Sequence, residues 1–131
     1  MVEKDYIMRL IHEMVRAMAK LIFHIEIKEG EELVFLEGEH QDFYQVLCQL
    51  ADQGKINQAE NMLFEKLEEE VFQEEGDGLK LALAFYDYLN TKENDFLDSN
   101  EYSREEIRDG IQNVMKMYGY SGLAETLLES R

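Results

Sequence analysis

The chain has 131 residues, 29 of them acidic and 13 basic, which gives a formal net charge of −16. A body this acidic repels phosphate groups, so nucleic-acid binding and attachment to an anionic membrane surface are both disfavoured. The single cysteine excludes an internal disulfide, and the absence of proline together with 45% hydrophobic residues predicts one almost wholly helical domain over residues 1–131.

The first predicted helix covers roughly Asp5 to Phe23, within an N-terminal amphipathic segment at residues 1–25. Apolar residues recur from Ile7 to Ile25 in the 4-3-4-3-4 spacing of a heptad seam, and a second apolar row lies beside it. This arc is wider than one neighbouring helix can cover. The helix is therefore either central in the domain or offers one row to a second copy in a homodimer. The candidate dimer seam comprises Met8, Met14, Val15, Met18 and Ile22.

Residues 24–41 allow two interpretations. Ile25–Lys28 alternates in polarity as a strand does, and Glu29-Gly30 could turn the chain into a second strand to form a hairpin. Alternatively, the first helix continues past Lys28 and a short helix follows at Glu31–Glu37. The helical or irregular interpretation is favoured, because a lone two-stranded hairpin is only marginally stable in water.

Two helical hairpins are predicted next, at residues 42–75 and 77–118. The first comprises helices at Asp42–Gln53 and Ile56–Glu75, reversed at Gly54, with Asn57 and Glu60 as an N-terminal capping pair.

In the second hairpin a helix at Leu79–Thr91 is followed by a polar loop at 92–102. Another helix opens with the capping box Ser103-Arg-Glu-Glu106 and ends before Gly119. With a short helix in 121–131, the sequence predicts an all-α, antiparallel array of five to six helices.

The segment Asp42–Leu67 resembles a degenerate tetratricopeptide repeat. The positions that carry the resemblance are Phe43, Leu50, Gly54, Ala59 and Leu63. Shifting the apolar positions of the first hairpin by 36 residues reaches Leu79, Leu83 and Tyr86 of the second, near the repeat period of about 34. The resemblance implies stacked α-α hairpins.

The opening Glu3–Arg9 followed by Met14–Ala17 is similar to the start of a bacterial family of small acidic helical proteins of unknown function. This resemblance implies a tetratricopeptide-like fold and a cytoplasmic setting, and it carries over no catalytic residues.

The leading functional hypothesis is a non-enzymatic protein-interaction or scaffold module. Arrays of this kind present a groove between the first helices of their hairpins, where a peptide or a partner helix can lie. The acidic groove edge predicts a basic partner segment. The candidate partner-binding residues on the first helices are Tyr44, Gln45, Gln49 and Tyr88.

Enzymatic, cofactor and metal-binding motifs are missing from the sequence. It holds no Gly-rich phosphate loop, Gly-x-Ser-x-Gly elbow, Cys-x2-Cys pair or paired histidine ligands on a helix. No catalytic, cofactor or metal residue is therefore predicted. Two alternatives stay open: an acidic decoy that imitates DNA and blocks a DNA-binding protein, and a small helical enzyme. With no basic-then-apolar leader pattern and no apolar stretch approaching about 20 residues, the expected location is the cytoplasm.

Overall fold

A computed structural model describes residues 2–24, 38–70, 77–120 and 122–123. Within these ranges 86% of the residues are helical and no strand occurs, which confirms the all-α prediction. The six helices are α1 (Val2–Phe23), α2 (Gly38–Asp52), α3 (Ile56–Glu70), α4 (Asp77–Asn90), α5 (Asn94–Ser99) and α6 (Arg104–Met117).

The connection between α2 and α3 is the tight reversal that Gly54 predicts. Gly54 has a φ of +83°, in the left-handed region that favours glycine, and its N–H donates to the carbonyl of Ala51. A Cβ at Gly54 would lie 2.3 Å from the side-chain oxygen of Asn100, so the turn also packs closely against the end of α5.

The start of α6 is fixed by the predicted capping box. The Ser103 hydroxyl accepts a hydrogen bond from the Glu106 N–H, and the Glu106 carboxylate accepts one from the Ser103 N–H. Two otherwise orphaned donors are satisfied in this way. The helix ends at Met117, shortly before Gly119 with its φ of +84°.

Helix α4 is the centre of the array. It packs against α2 and α3 on one side and against α6 and α1 on the other, while α2 pairs with α3 and α1 also contacts α6. Ten of its residues are buried, and among them Phe85 and Tyr86 are the largest. Helix α2 is thus paired with α3 and α4 with α6, and α1 packs against both α4 and α6.

Three features of the fold differ from the prediction. Helix α2 begins at Gly38 instead of Asp42. The predicted loop 92–102 contains α5. This short helix is stabilised within a polar segment because Leu97 is buried and Phe96 packs against the core. The predicted cap at Asn57 is wrong, since α3 already begins at Ile56.

Three other predictions fall on segments outside the described residues. They are the fold of residues 25–37, the end of the third helix beyond residue 70, and most of the C-terminal helix at 121–131.

Candidate functional site

Helices α2, α4 and α1 lie side by side with α4 in the middle. Residues of the C-terminal half of α4 reach both neighbours, since Tyr88 contacts α2 and Asp87 contacts α1. We call this surface the three-helix face. Its residues are Gln45, Gln49 and Asp52 on α2, Asp87, Tyr88, Thr91 and Lys92 at the end of α4, and Met8, Arg9 and His12 on α1.

The junction between α2 and α4 is a polar cluster around Asp52. The Tyr88 hydroxyl and the Lys92 ammonium both donate to Asp52 Oδ1, each at 2.5 Å. Burial opposes the ionisation of both charged groups, but the hydrogen bonds outweigh it. The pKa of Asp52 therefore lies below its usual value and the pKa of Lys92 above its own. The pair is charged at neutral pH and ties the C-terminus of α2 to that of α4.

The predicted partner-binding residues are placed as follows. Gln45 and Gln49 are exposed, and they precede Asp52 on the same face of α2. Tyr88 is half-buried and joins them through its bond to Asp52. Tyr44 is also half-buried, but it packs against the hydrophobic core. Three of the four residues thus share the three-helix face, and their role in binding stays a prediction.

An open groove lies between α1 and α4, with a volume of about 310 Å³. Met8, Arg9 and His12 line it from α1, and Asp87, Asn90 and Thr91 line it from α4. His12 Nδ1 lies 3.5 Å from Asp87 Oδ1. The groove is thus lined by one apolar side chain, Met8, together with polar and charged groups that could orient a ligand.

The proposed dimer seam needs correction. Met14, Val15 and Met18 are at most 2% exposed within the single chain, so these three residues belong to the internal core and cannot form a surface seam. Met8 and Ile22 are half-buried and retain accessible area. The wide apolar arc of α1 is covered from two directions, because the helix packs against both α4 and α6.

Charge is distributed unevenly along the edges of the three-helix face. Helix α2 carries Glu39, Asp42 and Asp52 and has no lysine or arginine. On α1, the residues Arg9, Arg16 and Lys20 recur along one side. The α2 edge is therefore acidic and the α1 edge is the more basic one.

Sequence patterns did not indicate a partly buried polar cluster between α3 and α4. The Tyr86 hydroxyl donates to Glu60 Oε2 at 2.6 Å, which joins α4 to α3. Burial raises the pKa of the Glu60 carboxyl, and the hydrogen bond from Tyr86 only partly offsets it. Burial beside the Glu60 charge also raises the pKa of the buried Tyr102, whose hydroxyl makes no well-formed hydrogen bond among the described residues. Gly110 leaves the space that the Tyr86 ring occupies.

Arg104 is the second buried polar group that sequence patterns did not indicate. It is 4% exposed, and its guanidinium donates to Asn94 Oδ1, to the carbonyl and side-chain oxygens of Asn90, and to the Lys92 carbonyl. The Asn90 amide in turn donates to the Met8 carbonyl on α1. This network fixes the end of α4, from which Tyr88 and Lys92 project.

The described ranges contain neither a metal-binding cluster nor a membrane-spanning helix. No group of three or more His, Cys, Asp or Glu side chains there could hold a metal ion. None of the helices in the same ranges has the length and apolar character needed to cross a bilayer.

The sequence profile of a family of unknown function, DUF6483, matches residues 1–119. The chain therefore belongs to this family. No curated protein matches the chain significantly, and neither does any solved structure.

Proposed function

We propose that this member of the DUF6483 family is a non-enzymatic protein-interaction module that binds a peptide or a partner helix along its three-helix face. The observation that carries the proposal is the open groove of about 310 Å³ between α1 and α4, whose lining residue Asp87 is followed in the chain by Tyr88, which contacts Asp52 on α2. An amphipathic helix laid in such a groove buries its apolar side and leaves its polar side to the rim.

We also propose that the hairpins are arranged as in tetratricopeptide repeats, and the packing of the helices supports this. The first helices of the two hairpins, α2 and α4, are adjacent, and α3 packs against both of them. Stacked hairpin repeats bury a shared core in this way and expose their first helices as a binding surface. Here α1 extends that surface on the far side of α4.

The partner segment is proposed to be basic. Helix α2, which forms one edge of the face, carries three acidic side chains along its length and no lysine or arginine, in a chain with a net charge of −16. Complementary charge would accelerate the encounter and select against acidic partners.

Fluorescence anisotropy with two labelled amphipathic peptides tests the proposal. Both peptides share one leucine pattern, and their polar positions are lysine in one and glutamate in the other. The lysine peptide should bind and the glutamate peptide should not. Gln49→Lys places a positive charge on the face and should weaken binding of the lysine peptide about tenfold. Asn113→Lys adds the same charge at an exposed position of α6 and serves as the control. Equal weakening by both variants would reduce the interaction to general charge attraction.

A second candidate, the DNA-mimicking decoy, is supported by an acidic band across α5 and the start of α6. Its exposed acidic residues are Glu93, Asp95, Asp98, Glu101, Glu105, Glu106 and Asp109. If a DNA-binding protein binds to this band, Glu105→Lys should weaken its binding, and duplex DNA should compete with the chain for that partner. For the three-helix face, neither effect is expected.

A homodimer through α1, and a setting in the bacterial cytoplasm, are further proposals. Leu21 is 56% exposed on α1, so Leu21→Glu adds charge there without entering the core. If α1 forms a dimer interface, light scattering should show a lower mass for this variant than for the native chain. An unchanged dimer mass would exclude an α1 interface at this position, and fractionation of cells expressing the native chain would test the location.

A further inference from the structure

The ammonium group of Lys92 lies in a site built from one carboxylate and two aromatic rings. Its Nζ is 2.5 Å from Asp52 Oδ1 and 3.3 Å from the Tyr88 hydroxyl. It also lies 4.7 Å from the ring centroid of Tyr88 and 5.2 Å from that of Phe96. A carboxylate combined with aromatic rings is the chemistry by which proteins recognise ammonium ligands.

We propose that Asp52, Tyr88 and Phe96 form a recognition site for an ammonium side chain of the partner, and that Lys92 is an internal occupant which the partner displaces. This inference rests on the proposed function, because Asp52 of the site lies on the three-helix face, on the same side of α2 as the exposed Gln45 and Gln49. It names the chemistry of the partner residue, a lysine or a methylated lysine, and a means of regulating access to it.

The geometry allows the Lys92 side chain to leave while its backbone stays in place. The Lys92 carbonyl accepts a hydrogen bond from buried Arg104, and its N–H donates to the Leu89 carbonyl. By contrast, the side chain of Lys92 is 20% exposed and that of Asp52 is 49% exposed. Because half of the Asp52 side chain is in contact with solvent, an incoming ammonium group can reach the carboxylate and compete with Lys92 for it.

Removing the internal ammonium should therefore strengthen binding of a basic peptide. If Lys92 fills the site in most molecules, the apparent affinity of a competing ligand is reduced by the vacant fraction. Lys92→Met keeps an unbranched apolar side chain and should tighten binding of the lysine peptide about three- to tenfold. Lys55→Met, at an exposed position before α3, removes the same charge and is the matched control. An equal gain in both variants, or a gain in neither, would overturn the proposal.

A second measurement does not depend on the peptide. In Lys92→Met, titration with tetramethylammonium chloride should produce saturable NMR shifts of the Tyr88 and Phe96 ring signals. The native chain should show weaker shifts at the same concentrations, and sodium chloride at equal ionic strength should show none. Adding Tyr88→Leu to the variant should abolish the response. A missing response in Lys92→Met would refute the ammonium site. A clear response without any peptide binding would refute the proposed function and retain the site.

Discussion

Replacing Arg104 by alanine should be among the most destabilising single substitutions in this protein. The guanidinium is always protonated, so its burial at 4% exposure is tolerated only because its N–H groups find acceptors. Those acceptors include the Asn90 and Lys92 carbonyls at 2.8 and 2.5 Å, at the end of α4, where the helix dipole is negative. Alanine would leave these oxygens without their donor.

The expected loss is about 3–5 kcal/mol. A hydrogen bond to a charged group contributes about 1.5–3 kcal/mol, and four such bonds to two neighbouring segments do not add, because water can enter the vacated space. For a domain of this size the loss corresponds to about 10–20 °C in the midpoint of thermal unfolding. Urea unfolding followed by circular dichroism gives the free-energy difference directly.

Arg108→Ala is the matched control for lost positive charge on α6. Arg108 is half-buried, and its Nε lies 3.8 Å from Asp109 Oδ1, so its loss should change stability by only about 0.5 kcal/mol. If the free energies of unfolding of Arg104→Ala and Arg108→Ala differ by less than about 1 kcal/mol, the network around Arg104 contributes little to stability and the reasoning is refuted.

Two further substitutions test the polar cluster formed by Glu60 and Tyr86 between α3 and α4. Gly110→Ala places a Cβ 2.4 Å from the end of the Tyr86 ring, which is buried and hydrogen-bonded to Glu60. It should therefore lower the free energy of unfolding, measured in urea, by about 2–3 kcal/mol. The control is Gly122→Ala, which has open space around the added Cβ and should be neutral or stabilising. Burial raises the pKa of Glu60 above its ordinary value of 4.5, so the folded state binds the proton more tightly than the unfolded state does. This contribution to stability is lost as the pH rises through the raised pKa. The native chain should therefore lose stability relative to Glu60→Gln as the pH rises above 4.5. A difference that stays constant with pH, or one that matches the exposed Glu65→Gln, would contradict this assignment.

The helices could be predicted because their signals are local. The Ser103 box and the reversal at Gly54 involve residues within a few positions of one another, and both are found in the structure. Periodicity on α1 was also correct as a sign of burial. It could not decide between an internal neighbour and a second copy, because an apolar row has the same pattern in both cases. Only the packing of α1 against α4 and α6 assigns Met14 and Met18 to the core.

The polar contacts could not be predicted, because each joins residues far apart in the chain. Glu60 and Tyr86 are 26 positions apart, and Asp52 and Lys92 are 40 apart. Among 29 acidic residues nothing local distinguishes the half-buried Glu60 from its solvated neighbours, and its spacing from Asn57 even indicates a cap. A signal was present only at Gly110, a glycine inside a helical pattern, which often marks close approach of another group.

The stability network and the proposed binding surface are parts of one arrangement. Arg104 holds the carbonyls at the end of α4, and Asn90 links the same turn to α1, so the position of Tyr88 and Lys92 relative to both neighbours depends on buried hydrogen bonds. A face fixed in this way is ordered before a partner arrives, and the entropic cost of binding then falls mainly on the partner. Arg104→Lys keeps the charge but removes the forked set of N–H donors. It should accordingly weaken binding of the lysine peptide more than Arg108→Lys does, even at temperatures where both variants remain folded.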